Sequence, residues 1–300
     1  MKLLARSTTP LVATGLLASL FSPAQAMERG TGKGPIYASP ATRAVIEKMV
    51  EAHGGIEPWR AAKTFSFDNL FFNPLYEQMR WPSPWWASHE VIELSTRRAY
   101  HDWPLDRARL TYDGEDVWTV DWGQKNPPKM QSLFFFYFIG LPWLTQDPNV
   151  RLEEPGTAKL PGEDTQYTTV RMEFAEKPPV GKTKQDTFLL YIDPKTHRLR
   201  AYEYTVGYGA MLDLMGIPDG QVAGPMLRFL DKFAEVDGLL VPSEMHTGSP
   251  DGSQTWGYHV LMNHSLREPF DESRMNKPAK AVVDPSSAER ASAKRTAMGQ

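Results

Sequence analysis

Residues Gln185–Gly207 read QDTFLLYIDPKTHRLRAYEYTVG, and their pattern decides the fold. Two alternating runs flank Asp193-Pro194-Lys195-Thr196, a cluster of turn formers. In the first run Phe188, Leu190 and Ile192 share one face, and Leu189 and Tyr191 share the other. In the second, Tyr202, Tyr204 and Val206 lie on one side. A side-chain period of two means extended strand, and so short a connection sends the second strand back beside the first. These strands carry more aromatic bulk than a thin, single-faced sheet needs.

The pattern repeats in both directions. Upstream, strands are expected at Thr64–Phe72, Leu75–Trp81, Ala87–Leu94, Arg98–Trp103, Arg107–Tyr112, Glu115–Trp122 and Gln166–Phe174, with Asp113-Gly114 as a strong hairpin turn. Downstream, Met226–Val236, Leu239–His246 and Thr255–Ser265 are separated by turns at Asp237-Gly238 and Pro250–Ser253. About eleven strands joined mainly by hairpins predict a mainly β (α+β) chain with a curved antiparallel sheet. No alternation of strand and helix supports a parallel sheet. One helix is clear: Ser39 caps, Pro40 takes the first position, and Gly54-Gly55 ends it after Ala52. A short helical turn is expected over Glu57–Ala62.

The termini read differently. Lys2 and Arg6 precede the apolar run Leu11–Phe21, and Pro23-Ala24-Gln25-Ala26 forms a small-residue cleavage site, the pattern of a signal peptide cut after Ala26. The expected organisation is a signal peptide at 1–26, a flexible leader at 27–38, one domain at 39–278 and a disordered tail at 279–300, in a periplasmic protein. The chain has no Cys, so core burial alone must hold it together. Its formal charge of −3 becomes more negative by two once Lys2 and Arg6 are removed, which argues against a nucleic-acid partner.

Two apolar insertions interrupt the strands: Ser132–Leu144, SLFFFYFIGLPWL, and the Met-rich Tyr208–Gly220. As a helix the first rises about 20 Å, too short for a hydrocarbon core of about 30 Å. Asn126 as cap, Pro127 in the first turn, Gly140 as stop and Pro142 beyond it favour a helix, although a buried strand also suits a Phe-rich run. Both insertions are expected to be lids over an apolar cavity in a concave sheet, the kind of site that binds lipid-like ligands by surface burial.

Conventional reaction chemistry is weakly signalled. His246, His259 and His264 fall on neighbouring strands but match no standard zinc spacing. His53, in the last helical turn, is placed to interact with the helix dipole. Gly181-Lys182-Thr183 lacks the upstream Gly of a phosphate-binding loop, and Gly248–Gly252 has its Ser misplaced for a nucleophile elbow. Asp113, Glu115, Asp116 and Asp121 could serve a hydrolase, but a solvated hairpin explains them better. No catalytic residue, metal site or cofactor is expected.

Several segments resemble the LolA/LolB-like, outer-membrane lipoprotein-sorting family. They are the opening Ala52-His-Gly-Gly55 with Trp59 and Thr64–Phe67, the hairpin Tyr112–Trp118, the turn Leu190–Leu199, and Glu235–Pro242 with Phe270–Ser273. The resemblance implies an unclosed half-barrel plugged by helices, with an apolar interior for acyl chains and no catalytic residues. The chain is longer than the minimal carrier and lacks the lipidated Cys of the anchored relative. The expected cavity residues are Phe65 and Phe67 in the first strand and Trp118 and Val120 in the hairpin. Phe134, Phe135, Phe138, Ile139 and Trp143 come from the aromatic run, Leu190, Tyr202 and Tyr204 from the central strands, and Met211, Leu214 and Met215 from the Met-rich insertion. The expected role is that of a periplasmic, non-enzymatic binding protein or carrier for lipid or acylated lipoprotein, serving transfer to the outer membrane. It would be a monomer making transient membrane or envelope-protein contacts. The alternatives are a carboxylate-dependent hydrolase and a non-catalytic envelope structural protein.

Overall fold

A computed structural model describes residues 34–290 except 79–80 and 176–177. The expected signal peptide, and the leader and tail in part, lie outside the described residues. The strands are β1 (Ile36–Tyr37), β2 (Thr64–Phe72), β3 (Trp85–Glu93), β4 (Ala99–Trp103), β5 (Ala108–Tyr112), β6 (Val117–Val120), β7 (Val150–Leu152) and β8 (Gly156–Lys159). They continue with β9 (Gln166–Phe174), β10 (Thr187–Ile192), β11 (Leu199–Val206), β12 (Ala223–Val236), β13 (Leu239–Gly248), β14 (Thr255–Ser265) and β15 (Val282–Val283). The helices are α1 (Pro40–Ala52), α2 (Glu57–Ala61), α3 (Leu75–Gln78), α4 (Pro128–Gln131), α5 (Phe134–Ile139), α6 (Leu141–Leu144) and α7 (Gly209–Leu214).

All strands join one sheet in the order β1-β7-β9-β10-β11-β12-β13-β14-β2-β3-β4-β5-β6-β15, with β8 paired to β9. Its ends do not meet, so the barrel is unclosed. Every pair is antiparallel except β1 with β7. The hairpin that predicted this arrangement pairs Phe188 with Tyr204 and Leu190 with Tyr202. Among the described residues, no helix is long and apolar enough to cross a membrane.

Fifteen strands replace the expected eleven or so, because β1, β7, β8 and β15 are too short to show a period. Two of these lie in segments read as leader and tail: β1 pairs with β7, and β15 pairs with β6. The expected strand at Leu75–Trp81 begins instead with α3. Asn73 Oδ1 accepts from the Leu75 amide at 3.0 Å, an Asx turn that starts the helix where apolar spacing alone suggests a strand.

Helix α1 forms as expected, with the Ser39 hydroxyl accepting from the Thr42 amide. Its buried residues, Thr42, Ile46, Met49 and Val50, form one helical stripe against the core. Gly54 follows with φ +99°, and a Cβ there would stand 2.1 Å from the Gly238 carbonyl oxygen, so only Gly permits this approach. The second half of the core comes from α4–α6, which lie in the mouth of the curved sheet.

Candidate functional site

The aromatic run is a plug. Instead of one helix, the run and the residues just before it form three short ones; Ser132 and Leu133 separate α4 from α5, and Gly140-Leu-Pro142 starts a new helix. The residue preceding Pro disfavours continued helix, and Pro142 brings no amide of its own. Successive residues of α5 point to different walls. Phe135 meets Phe71, Trp86 and His259; Phe136 stacks on Trp59; Tyr137 meets Phe174; Phe138 meets Tyr202 and Tyr204. Trp143 stacks on Trp59 at 4.8 Å, and its indole N–H donates to the Gly55 carbonyl at 3.0 Å. A helix apolar on every side is thus covered by protein over all its residues but Phe134, which is partly buried.

A cavity of about 460 Å³ lies beside the plug, at one end of the central strands β11–β14 and β2, beneath α7. Its wall includes Phe71 of β2, Tyr76 of α3, Met130 of α4 and Trp256 of β14, while α7 and the chain after it contribute Met211, Met215 and Ile217. Of the sequence-predicted residues, Phe134, Tyr204, Met211 and Met215 line this cavity. Phe65, Phe67, Phe135, Phe138, Ile139, Trp143, Leu190 and Tyr202 are buried in the adjoining packed core. Leu214 is 40% exposed. Trp118 and Val120 face the other way. Trp118 aligns through Thr111, Tyr100 and Val91 with Ser66, on the sheet face opposite Phe65 and Phe67. All four residues of β6 are buried, so period-two reading could not tell its inner face from its outer one.

The sequence reading missed Arg228, the one charged residue in the described cavity lining. It sits on β12 opposite Tyr202 and Thr247, with only 2% of its surface exposed. Its Nη1 lies 2.8 Å from His259 Nδ1, and its guanidinium carbon lies 3.9 Å from the centre of the Phe138 ring. Guanidinium is always a donor, so Nδ1 accepts and the imidazole proton sits on Nε2. Burial, then the Arg228 charge, hold His259 well below its ordinary pKa, in the neutral form.

The other candidates resolve into structure. His259 and His246 pair with adjacent positions across β13–β14 and therefore occupy opposite faces; His246 binds Asp231 at 2.6 Å on the outside. Among the described residues no three His, Cys, Asp or Glu stand together as a metal site. His53 does not act as a cation at the helix end. It is fully buried, its Nδ1–H donates to the Leu240 carbonyl at 2.9 Å, and its Nε2 accepts from the Leu199 amide at 3.0 Å. Burial lowers its pKa to about 4. Asp113 caps its own turn, and Asp116 and Asp121 pair with Lys277 and Lys280. Glu90 and His101 form a second buried polar pair, 3.6 Å apart on the inner face. Burial pushes Glu90 up to about 8 and His101 down to about 3, so both are neutral near pH 7.

Helix α7 is tied down by the chain's last described residues. The amides of Gly209 and Ala210 donate to the carbonyls of Ala288 and Ser287, and Tyr208 shares a hydrogen bond with Ser286. Arg290 donates to the Ile217 and Pro218 carbonyls and pairs with Asp213. A Cβ at Gly209 would stand 2.6 Å from the Glu289 backbone, so this strap requires Gly there.

Residues 129–213, from the plug to α7, match DUF6503, a family of unknown function. No match is found among curated proteins. Among solved structures, the chain is similar to a LolA superfamily protein from Nitrosomonas europaea, at 10% identity over 80% of this chain and 99% of that one, with a TM-score of 0.45. It is also similar to a DUF1329 family protein from Desulfovibrio piger, at 9% identity over 79% of this chain and 98% of that one, with a TM-score of 0.48. The similarity is one of fold.

Proposed function

We propose that this protein is an exported, non-catalytic carrier that binds a lipid, or the acyl chain of a lipoprotein, in the cavity beneath α7. The observation that carries the reading is the cavity itself: about 460 Å³, walled mainly by aromatic, Met and aliphatic side chains. That volume suits one small apolar ligand rather than a cluster of chains. Motion of α7 and the residues after it would widen the entrance, because Met211, Met215 and Ile217 form that side of the wall. The carboxylates at Asp113–Asp121 are no part of the cavity wall. Titration with a fluorescent fatty-acid probe should give saturable binding with about one site per chain. Absence of saturable binding, together with no lipid extractable from the purified protein, would refute the carrier reading.

A second reading, attachment to an envelope partner, is favoured by Trp85, Tyr258, Val260 and Met262, which remain exposed on the outer face. Charged substitutions at Tyr258 and Met262 should abolish partner crosslinking under that reading and leave probe binding unchanged under the first.

A further inference from the structure

The buried cation in the cavity wall points to one class of ligand. Elsewhere the partly buried arginines have carboxylate partners: Arg97 with Asp147, Arg98 with Glu93, Arg200 with Glu163 and Arg274 with Asp102. Arg228 is more deeply buried than these, yet among the described residues no carboxylate lies within ion-pair distance of it. Its neighbours are the Phe138 and Tyr204 rings and the lone pair of His259 Nδ1. Its Nε has no hydrogen-bond partner, and neither does Nε2 of His259. A buried charge left this way is strongly unfavourable unless something completes it. The ring faces offer partial compensation, but they accept no N–H bonds in the plane of the guanidinium.

We infer that the cavity takes a free, single-chain anionic amphiphile whose carboxylate or phosphate head is held inside by Arg228, with its apolar tail toward Met211, Met215 and Ile217. This rests on the carrier reading and narrows it. A protein-linked acyl chain would enter tail first and bring no anion to Arg228; a free amphiphile can enter head first and supply one. Guanidinium matches both head types, since each presents two oxygens to its forked donors. His259 fixes the fork, because its Nδ1 occupies one Nη1 position.

The test is displacement of a neutral fluorescent probe, N-phenylnaphthylamine, by dodecanoate, dodecyl phosphate and dodecanol, on the full chain. At least one anion should bind about tenfold more tightly than the alcohol, about 1.4 kcal/mol. The tighter anion identifies the head group. Arg228→Met should bring anion and alcohol to parity while the alcohol's affinity is retained, and Arg228→Lys should keep part of the preference. Should Arg228→Met fail to fold, the comparison of anion with alcohol on the native chain still decides. Equal binding of all three overturns the inference and leaves the carrier reading standing. Failure of the probe and of every chain to bind overturns both.

Discussion

The two ends of the central strands use the same kinds of residue to opposite effect. At the plugged end, Trp59, Phe65, Phe136 and Trp143 interlock as a continuous aromatic stack. At the hollow end, Phe71, Phe134, Tyr76 and Tyr204 surround open space, and the cover over it is fastened by backbone and side-chain hydrogen bonds to residues 286–290. Aromatic content therefore does not distinguish core from site. The distinction lies in what closes the wall: interdigitated rings at one end, and a short helix held by a polar strap at the other. Stability should concentrate in the first and motion in the second.

The hardest test of that contrast is truncation at the centre of the stack. Trp59→Ala removes a ring in contact with Phe65, Phe136 and Trp143 and should cost about 3–5 kcal/mol in urea unfolding. Met215→Ala, on the cavity wall and 36% exposed, should cost less than about 1 kcal/mol while weakening probe binding. Similar losses at both positions would break the comparison.

Next in size is the response to pH, which comes from buried neutral groups around the plug. His53 is held at about 4 against an ordinary 6.5, so the unfolded chain takes up a proton across that interval and the folded chain does not. Its contribution is complete above pH 6.5 and is lost as pH falls through 4, about 3 kcal/mol in all. His101, held at about 3, acts with the same sign. Glu90 acts with the opposite sign: raised from 4.5 to about 8, it favours folding below its ordinary value and loses that contribution as pH rises through 8. Urea unfolding at a series of pH values should show both limbs. His53→Gln should flatten the acid limb and Glu90→Gln the alkaline one; limbs that persist unchanged in these variants would assign them to other groups.

How much of this was legible in the sequence depends on whether a residue's neighbours are near it in the chain. Ser39, Pro40 and Gly54-Gly55 bound α1 through local chemistry, and β2, β9 and β14 follow from their own alternation. Asn73 was legible in principle, since an Asx turn is local, but the apolar spacing of Leu75–Trp81 outweighed it. Arg228 was not. One charge in a strand reads as solvent-facing, and its inward direction is fixed by pairing with Tyr202 across a connection interrupted by α7. The same distance hides the strap: Ser286–Arg290 reads as polar tail, and only folding brings it to Gly209 some 80 residues away.

That strap supplies the finest test of the contrast, because it bears on opening of the hollow end rather than on folding. Arg290→Ala removes the donors to the Ile217 and Pro218 carbonyls and the pairing with Asp213. Global stability should fall by about 1–2 kcal/mol, less than for Trp59→Ala, since the guanidinium, although only 15% exposed, fastens the cover and not the packed core. The local effect should be clear: amide exchange at Gly209 and Ala210, which donate to the strap, should speed up about tenfold, and bound probe should leave faster. Amides around Trp143 should exchange as before, because the stack that buries them does not touch the strap. Acceleration at both ends together would mean that cover and plug open as one unit, and the division drawn between them would fail.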